Sequence, residues 1–305
     1  MISIVICSIN NGYLKNVSEN ISKTIGVEYE LLVWDNIFEK KGICEVYNIL
    51  ADKARFPLLC FLHEDVFFET DSWGVTLEEM FAEHPEAGVV GLAGSSYKSA
   101  MYSGWYTHNN RYDYFNYTHL TNGVRHKFRQ PADPMSNVFP VVCIDGIFIA
   151  CRREVWKDIL FDENRLKGFH FYDIDFSLRA AMKYGVVVLM TIDLVHITQG
   201  GDYGDRWVET AFKYHTSADV RMPVYVNGLP SLPEVKADEK DIGAFWLDRL
   251  KIEKISLKNK WKWIMRQRLF PRGLSLWYPI VRFIVFRPMK LYRLQKLIKK
   301  MRSGS

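Results

Sequence analysis

The sequence predicts an α/β fold: a mainly parallel sheet with flanking helices, followed by a basic helical C-terminal extension. Three observations predict it. Strand-length apolar runs alternate with helix-length stretches through most of the chain. Polar clusters stand at the carboxyl ends of several of those runs. The charge is split, because residues 251–305 hold 16 of the 40 Lys/Arg and one of the 35 acids, Glu253, a local net of +15. The first 250 residues then carry 24 bases against 34 acids, a net of −10.

Each element follows in order. Residues 2–7 (ISIVIC) make a continuous apolar run of strand length, ended by a polar turn over 8–12. Residues 13–25 suit a helix. Residues 30–34 (ELLVW) read as a second buried strand, closed by Asp35-Asn36. A helix over 44–55 leads to Pro57 and a third strand, 58–62 (LLCFL), which stops at His63-Glu64-Asp65. A helix over 73–84 and a strand over 87–92 (AGVVGL) continue the rhythm. In open α/β sheets, ligands bind beyond the carboxyl ends of the strands. Asn10, Asp35 and the 63–65 triplet are therefore expected on one rim.

Residues 95–140 break the pattern. Eight aromatic residues, Tyr97, Tyr102, Trp105, Tyr106, Tyr112, Tyr114, Phe115 and Tyr117, crowd among Ser, Asn and Gly. They suit either an acceptor platform or packing on an edge hairpin. Residues 141–151 (VVCIDGIFIAC) read as a strand interrupted by Asp145-Gly146. A short helix over 153–160, a helix over about 173–184 and a buried strand over 186–191 follow. His196 comes next, then a glycine-rich loop. That loop, 198–207, could close over a bound ligand and bring Arg206 to an anionic group on it, or remain a surface loop.

The chain has 305 residues and a mass of 35.7 kDa, with 48% hydrophobic and 25% charged residues. That composition excludes disordered, collagen-like and disulfide-stapled classes. Five cysteines without metal spacing predict free, mostly buried thiols in a reducing compartment. The opening MISIVICSIN shows no basic leader, so a secretory signal is not expected and a cytoplasmic location is.

The chemistry-bearing residues are few. His63-Glu64-Asp65 places hard oxygen ligands at a strand end, where a divalent cation could neutralise a diphosphate, although solvated acids are also common there. Residues 169–179 (FHFYDIDFSLR) carry two acids near a helix start. Residues two apart on a helix diverge by about 200°, so Asp173 and Asp175 cannot face one small site. Asp175 and Arg179 have the spacing of an ion pair, which leaves Asp173 as the freer carboxylate. His196 could be structural, or complete a metal shell.

With these residues in order, the chain resembles glycosyltransferase family 2, the inverting enzymes of the GT-A Rossmann-like nucleotide-diphospho-sugar transferase fold. The likeness covers about residues 1–215 and implies a catalytic domain, taken as 1–230; the charge and aromatic content separately mark 231–305 as a basic, aromatic-rich helical region. The likeness implies that Asn10 and Asp35 lie by the nucleotide; His63 and Glu64 of the triplet, and Arg206 if the 198–207 loop closes, are further candidates on the nucleotide-sugar side. It implies that Asp65 and His196 hold a divalent cation (Mn²⁺ or Mg²⁺), and that Asp173 is the general base. Two positions depart from the family pattern: His63 replaces the first acid of the DxD motif, and Tyr172 replaces the Glu before the base. The implied reaction moves a sugar from a nucleotide-diphospho-sugar donor to a hydroxyl of a glycan or lipid-linked glycan, as in polysaccharide biosynthesis. A non-catalytic carbohydrate-binding protein on the same fold is the alternative. A nucleotidyltransferase would want a glycine-rich phosphate loop with a base, and the 8–12 turn has neither.

The acidic stretch 234–241 reads as a linker or surface turn. Beyond it, residues 258–264 (KNKWKWI) mix lysine with tryptophan, and residues 274–286 (LSLWYPIVRFIVF) are too short to span a membrane. The combination suits the headgroup zone of an anionic membrane, which predicts peripheral attachment to an inner membrane face. The same residues could instead form a helical appendage with a solvated basic face. No nucleic-acid module is recognisable, so no nucleic-acid partner is expected.

Overall fold

The computed structural model describes residues 1–198 and 203–266. The expected loop residues 199–202 and the apolar run 274–286 lie outside the described residues. The elements in order are β1 (Ile2–Ser8), α1 (Asn11–Thr24), β2 (Tyr29–Asp35), α2 (Ile43–Asp52), β3 (Leu58–Leu62), β4 (Val66–Phe68), α3 (Trp73–Glu83) and β5 (Ala87–Gly91). Then come β6 (Ala93–Ser95), β7 (Tyr97–Lys98), β8 (Asp113–Thr121), β9 (Val124–Gln130), β10 (Val138–Val141), β11 (Cys143–Ile144) and β12 (Phe148–Arg152). The rest are α4 (Arg153–Ile159), α5 (Tyr172–Ala180), β13 (Gly185–Leu189), β14 (Leu194–Ile197), α6 (Asp205–Ser217), β15 (Val224–Tyr225), α7 (Leu232–Leu250) and α8 (Leu257–Arg266).

The chain forms two compact units. The first comprises Met1–Ser99, Gly104–Gly201 and Ser217–Pro230; the second comprises Ala100–Ser103, Asp202–Thr216 and Ser231–Ser305.

The first unit is built on a seven-stranded sheet in the order β10-β13-β5-β12-β3-β1-β2. β1 runs parallel to β2 and β3, and β13 runs parallel to β5, while β12 is antiparallel to both β3 and β5. Five strands therefore point one way, and β10 and β12 point the other. Apolar runs without alternation, such as LLCFL in β3, are what a sheet covered on both faces requires. Every residue of β3 and β5 is buried. The register sets the rim: Ser8 stands opposite Asp35, and Ile6 opposite Leu62, so the residues after β1, β2 and β3 emerge side by side.

A second sheet, β11-β6-β8-β14-β4 with β9 on β8, occupies the aromatic region. The hairpin β8–β9 turns through Asn122-Gly123 at φ 51° and 79°, the left-handed pair that a tight hairpin needs. The expected strand over 141–151 is three short strands, because Asp145-Gly146 turns the chain between β11 and β12.

In the second unit, the stretch 234–241 is a correction: it lies inside α7 and is not a linker. Ser231 and Glu234 form a capping box, and a proline sits in the first turn, where its missing N–H costs nothing. Across the described residues, no helix is long and apolar enough to cross a membrane.

Candidate active site

The site lies in the first unit, at the carboxyl end of β3. His63 and Asp65 follow that strand directly. His196 reaches them from the second sheet, because β14 pairs antiparallel with β4 and sets His196 opposite Val66, the residue after Asp65. The Ile197 amide also donates to the Asp65 carbonyl at 2.8 Å. As a result, His196 Nε2 lies 3.3 Å from Asp65 Oδ2, and His63 Nδ1 lies 3.8 Å from Asp65 Oδ1. One ligand atom from each of the three residues falls within 4.8 Å of the others.

The proton positions follow from the neighbours. The Tyr172 hydroxyl donates to the Gly146 carbonyl at 3.1 Å, which uses its one proton. Its oxygen, 2.9 Å from His63 Nε2, therefore accepts from that nitrogen. His63 is left with the Nδ1 lone pair turned toward Asp65. Burial pushes its imidazolium pKa down overall, against the pull of Asp65, so the ring is held neutral. Burial would raise the Asp65 carboxyl, but the interactions led by the His196 hydrogen bond outweigh it, and its pKa is lowered. Asp65 Oδ1 and His196 Nδ1 are buried without a hydrogen-bond partner among the described residues. A carboxylate oxygen facing an imidazole lone pair, with no donor between them, is an arrangement that a cation satisfies. The residues present fit a divalent ion.

Asp173 sits on the first turn of α5. The helix begins after Phe171, held left-handed at φ 68°, a conformation that costs a non-glycine residue ~1–2 kcal/mol. That turn delivers Tyr172 and Asp173 to Gly146. A Cβ on Gly146 would lie 2.1 Å from the Tyr172 hydroxyl and 3.3 Å from Asp173 Cβ, so a side chain there is excluded. Burial, and then the neighbouring Asp145 carboxylate, push the Asp173 pKa from 3.8 to about 7. Asp175 points elsewhere, as its helical spacing from Asp173 requires. It is 2% exposed, accepts from Arg179 Nε at 2.8 Å, and pairs with Arg165.

Of the other expected residues, Asp35 ends β2 on the same rim, where its side chain accepts from the Ile37 amide at 3.1 Å. Asn10 caps α1 by accepting from the Gly12 and Tyr13 amides. Glu64 fastens the turn after β1, accepting from Ser8 Oγ at 2.5 Å and from the Asn10 amide at 3.0 Å. His63, expected on the nucleotide side, groups with Asp65 and His196. Arg206 is an exposed residue of α6 in the second unit. The five cysteines are unpaired, and burial is the main cause raising each thiol, which excludes a cysteine nucleophile. Sequence reasoning missed Asp145. Its Oδ2 accepts from Trp105 Nε1 at 2.6 Å and its Oδ1 from the Ile147 amide at 2.9 Å. An Asp-Gly pair inside an apolar strand was the available signal.

Residues 3–216 match the family model described as Glycosyltransferase like family. Among solved structures, the chain is similar to GalNAc-T7 with UDP, GalNAc and Mn²⁺, at TM-score 0.50 and 10% identity, over 92% of this chain and 53% of that one. It is also similar to the mannosyltransferase PcManGT from Pyrobaculum calidifontis in complex with GDP-Man and Mn²⁺, at TM-score 0.50 and 11% identity, over 93% and 86%. It spans about half the length of the first. No curated protein sequence matches. At these identities the structures speak for the fold, and the family match covers most of the chain. The chain belongs to the glycosyltransferase-like family and is a glycosyltransferase of the GT-A fold.

Proposed function

We propose that the protein is an inverting, cation-assisted glycosyltransferase that moves a sugar from a nucleotide-diphospho-sugar to a hydroxyl of a glycan or lipid-linked glycan. The catalytic part is the region 1–230. One observation carries the reading: a His63–Asp65–His196 cation group lies on the strand rim, and Tyr172, which contacts it, precedes a half-buried carboxyl, Asp173, poised near neutrality. The structures of similar fold hold UDP or GDP-Man together with Mn²⁺, which supports a donor of the same class.

A divalent ion held by Asp65, His63 and His196 would offset the charge of the departing diphosphate. Two imidazoles beside one carboxylate suit Mn²⁺ better than Mg²⁺. The Asp173 carboxylate takes the proton of the acceptor hydroxyl. The acceptor oxygen bonds to the anomeric carbon from the face opposite the diphosphate. The anomeric C–O bond breaks, its electron pair leaves with the diphosphate, and the anomeric configuration inverts. Asp35, on the same rim, would meet the nucleoside. Incubation with a panel of UDP- and GDP-sugars and Mn²⁺, scored by nucleotide release, tests the reading: release from at least one donor, abolished by chelator, is expected. No release from any donor contradicts it.

We also infer peripheral attachment to an anionic membrane through α8. One face of that helix is tied down, with Asn259 donating to Asp205 and Glu209 and Trp263 Nε1 donating to the Tyr102 carbonyl at 3.1 Å. On the other face, Leu257, Trp261 and Met265 stand four residues apart, 57%, 52% and 46% exposed, beside exposed Lys258 and Lys254. An apolar stripe bordered by lysines suits anionic headgroups. Co-sedimentation with phosphatidylglycerol vesicles at low salt is expected, and its absence rejects the attachment.

A further inference from the structure

The second sheet carries a row of rings that the reaction just described does not use. Phe115, Tyr117 and His119 are alternate residues of β8 and so project from one face. Their centroids are 5.9 and 4.9 Å apart. Trp105 and Tyr106 extend the row past Phe115, at 6.5 and 6.1 Å. His196 extends it past His119, at 5.5 Å. One end of the row therefore reaches the cation group. At the other end, the Trp105 indole is tied to Asp145 at 2.6 Å, and the next residue, Gly146, abuts Asp173.

Tyr117 packs in part against the core, yet none of these rings is fully covered. The packing aromatics of the first unit, such as Phe61 and Phe176, are fully buried, whereas Trp105, Tyr106, Phe115, Tyr117 and His119 are each half-buried. A strip of half-covered rings ending beside the general base is chemically specific. The C–H face of a pyranose ring lies well on an aromatic face, and its hydroxyl rim seeks acceptors such as the second lone pair on each Asp145 oxygen. A fatty alcohol has no such rim, and a peptide hydroxyl has no such face. We propose that Trp105, fixed by the positioning residue Asp145, is the floor of an acceptor subsite, and that the acceptor is a pyranoside lying on this row with its reacting hydroxyl toward Asp173. This rests on the glycosyl-transfer reading.

The test uses saturation-transfer NMR on the full chain with methyl pyranosides of glucose, galactose, mannose, GlcNAc and GalNAc. Sorbitol serves as an open-chain control. At least one pyranoside is expected to receive saturation at its ring C–H protons, and sorbitol is not. Trp105→Ala and Asp145→Ala each weaken that pyranoside about tenfold; Trp105→Phe, which keeps a ring but loses the indole donor to Asp145, weakens it by less, and Asp145→Asn, which keeps a carbonyl acceptor for the indole, holds most of the affinity. Circular dichroism confirms folding, and the Phe and Asn variants keep the test decisive if an alanine variant unfolds. No binding by any pyranoside, or undiminished binding by folded Trp105→Ala, overturns the subsite. Mn²⁺-dependent UDP or GDP binding by wild type, measured in parallel, separates the two readings: its loss rejects the donor chemistry, while its presence without pyranoside binding rejects the subsite alone.

Discussion

Replacing Asp145 by asparagine removes a charge while keeping an oxygen for the Trp105 indole. Asp173 feels that charge: its carboxyl rises from 3.8 to about 7, with burial the larger cause and Asp145 the second. The proposed base would work ionised, so activity is expected to fall as pH drops through its pKa. A like charge nearby raises an acid's pKa, so its removal lowers it, and the acidic limb of the pH–rate profile moves to lower pH. A neighbouring-charge share of about one unit corresponds to ~1.4 kcal/mol of differential interaction between the two protonation states. Nucleotide release at saturating donor and Mn²⁺ over pH 5–9 reads the limb directly. A downward displacement of about one unit in Asp145→Asn is expected. An unmoved limb, or one displaced upward, refutes the coupling of these two carboxyls.

Three further outcomes follow from the same geometry. Asp173→Asn lowers sugar transfer by about 10²–10⁴, with Mn²⁺-dependent nucleotide affinity nearly intact, which separates base from binding residue. Tyr172→Phe frees His63 Nε2 from the bond that fixes its tautomer, so Mn²⁺ affinity measured by electron paramagnetic resonance falls about 10–100-fold. Asp175→Ala leaves the Arg165 and Arg179 guanidinium groups without their shared buried partner, and urea unfolding is expected to show a loss of about 3–5 kcal/mol.

The rim was legible because its signals are local. A continuous apolar run such as LLCFL marks a buried strand whatever surrounds it, and β3 ends at Leu62, so His63 and Asp65 emerge where ligands collect. The helical period separated Asp173 from Asp175, and the Asp175–Arg179 pair forms as spaced. The second sheet was hidden for the opposite reason. β9 (VRHKFRQ) is mostly exposed and charged, so it shows no apolar alternation, although Asn122-Gly123 before it carried the hairpin signal. Asp145 read as a flaw in a strand because its partners, Trp105 and Asp173, are remote in sequence. The helix over 234–241 was masked by its acidity, while the Ser231–Glu234 cap that starts it was present in the sequence. His63 stands beside Asp65 in the sequence, but the Tyr172 contact that orients its ring spans 109 positions, which no local pattern encodes.

The proposed cation would link His63, Asp65 and His196 to the donor diphosphate. Calorimetric titration of UDP and GDP into wild type and Asp65→Ala, with and without Mn²⁺, measures that link. One nucleotide is expected to bind wild type far more tightly with Mn²⁺, and Asp65→Ala to erase the difference. Equal affinity with and without the ion in wild type, or an unchanged Mn²⁺ effect in Asp65→Ala, would contradict it.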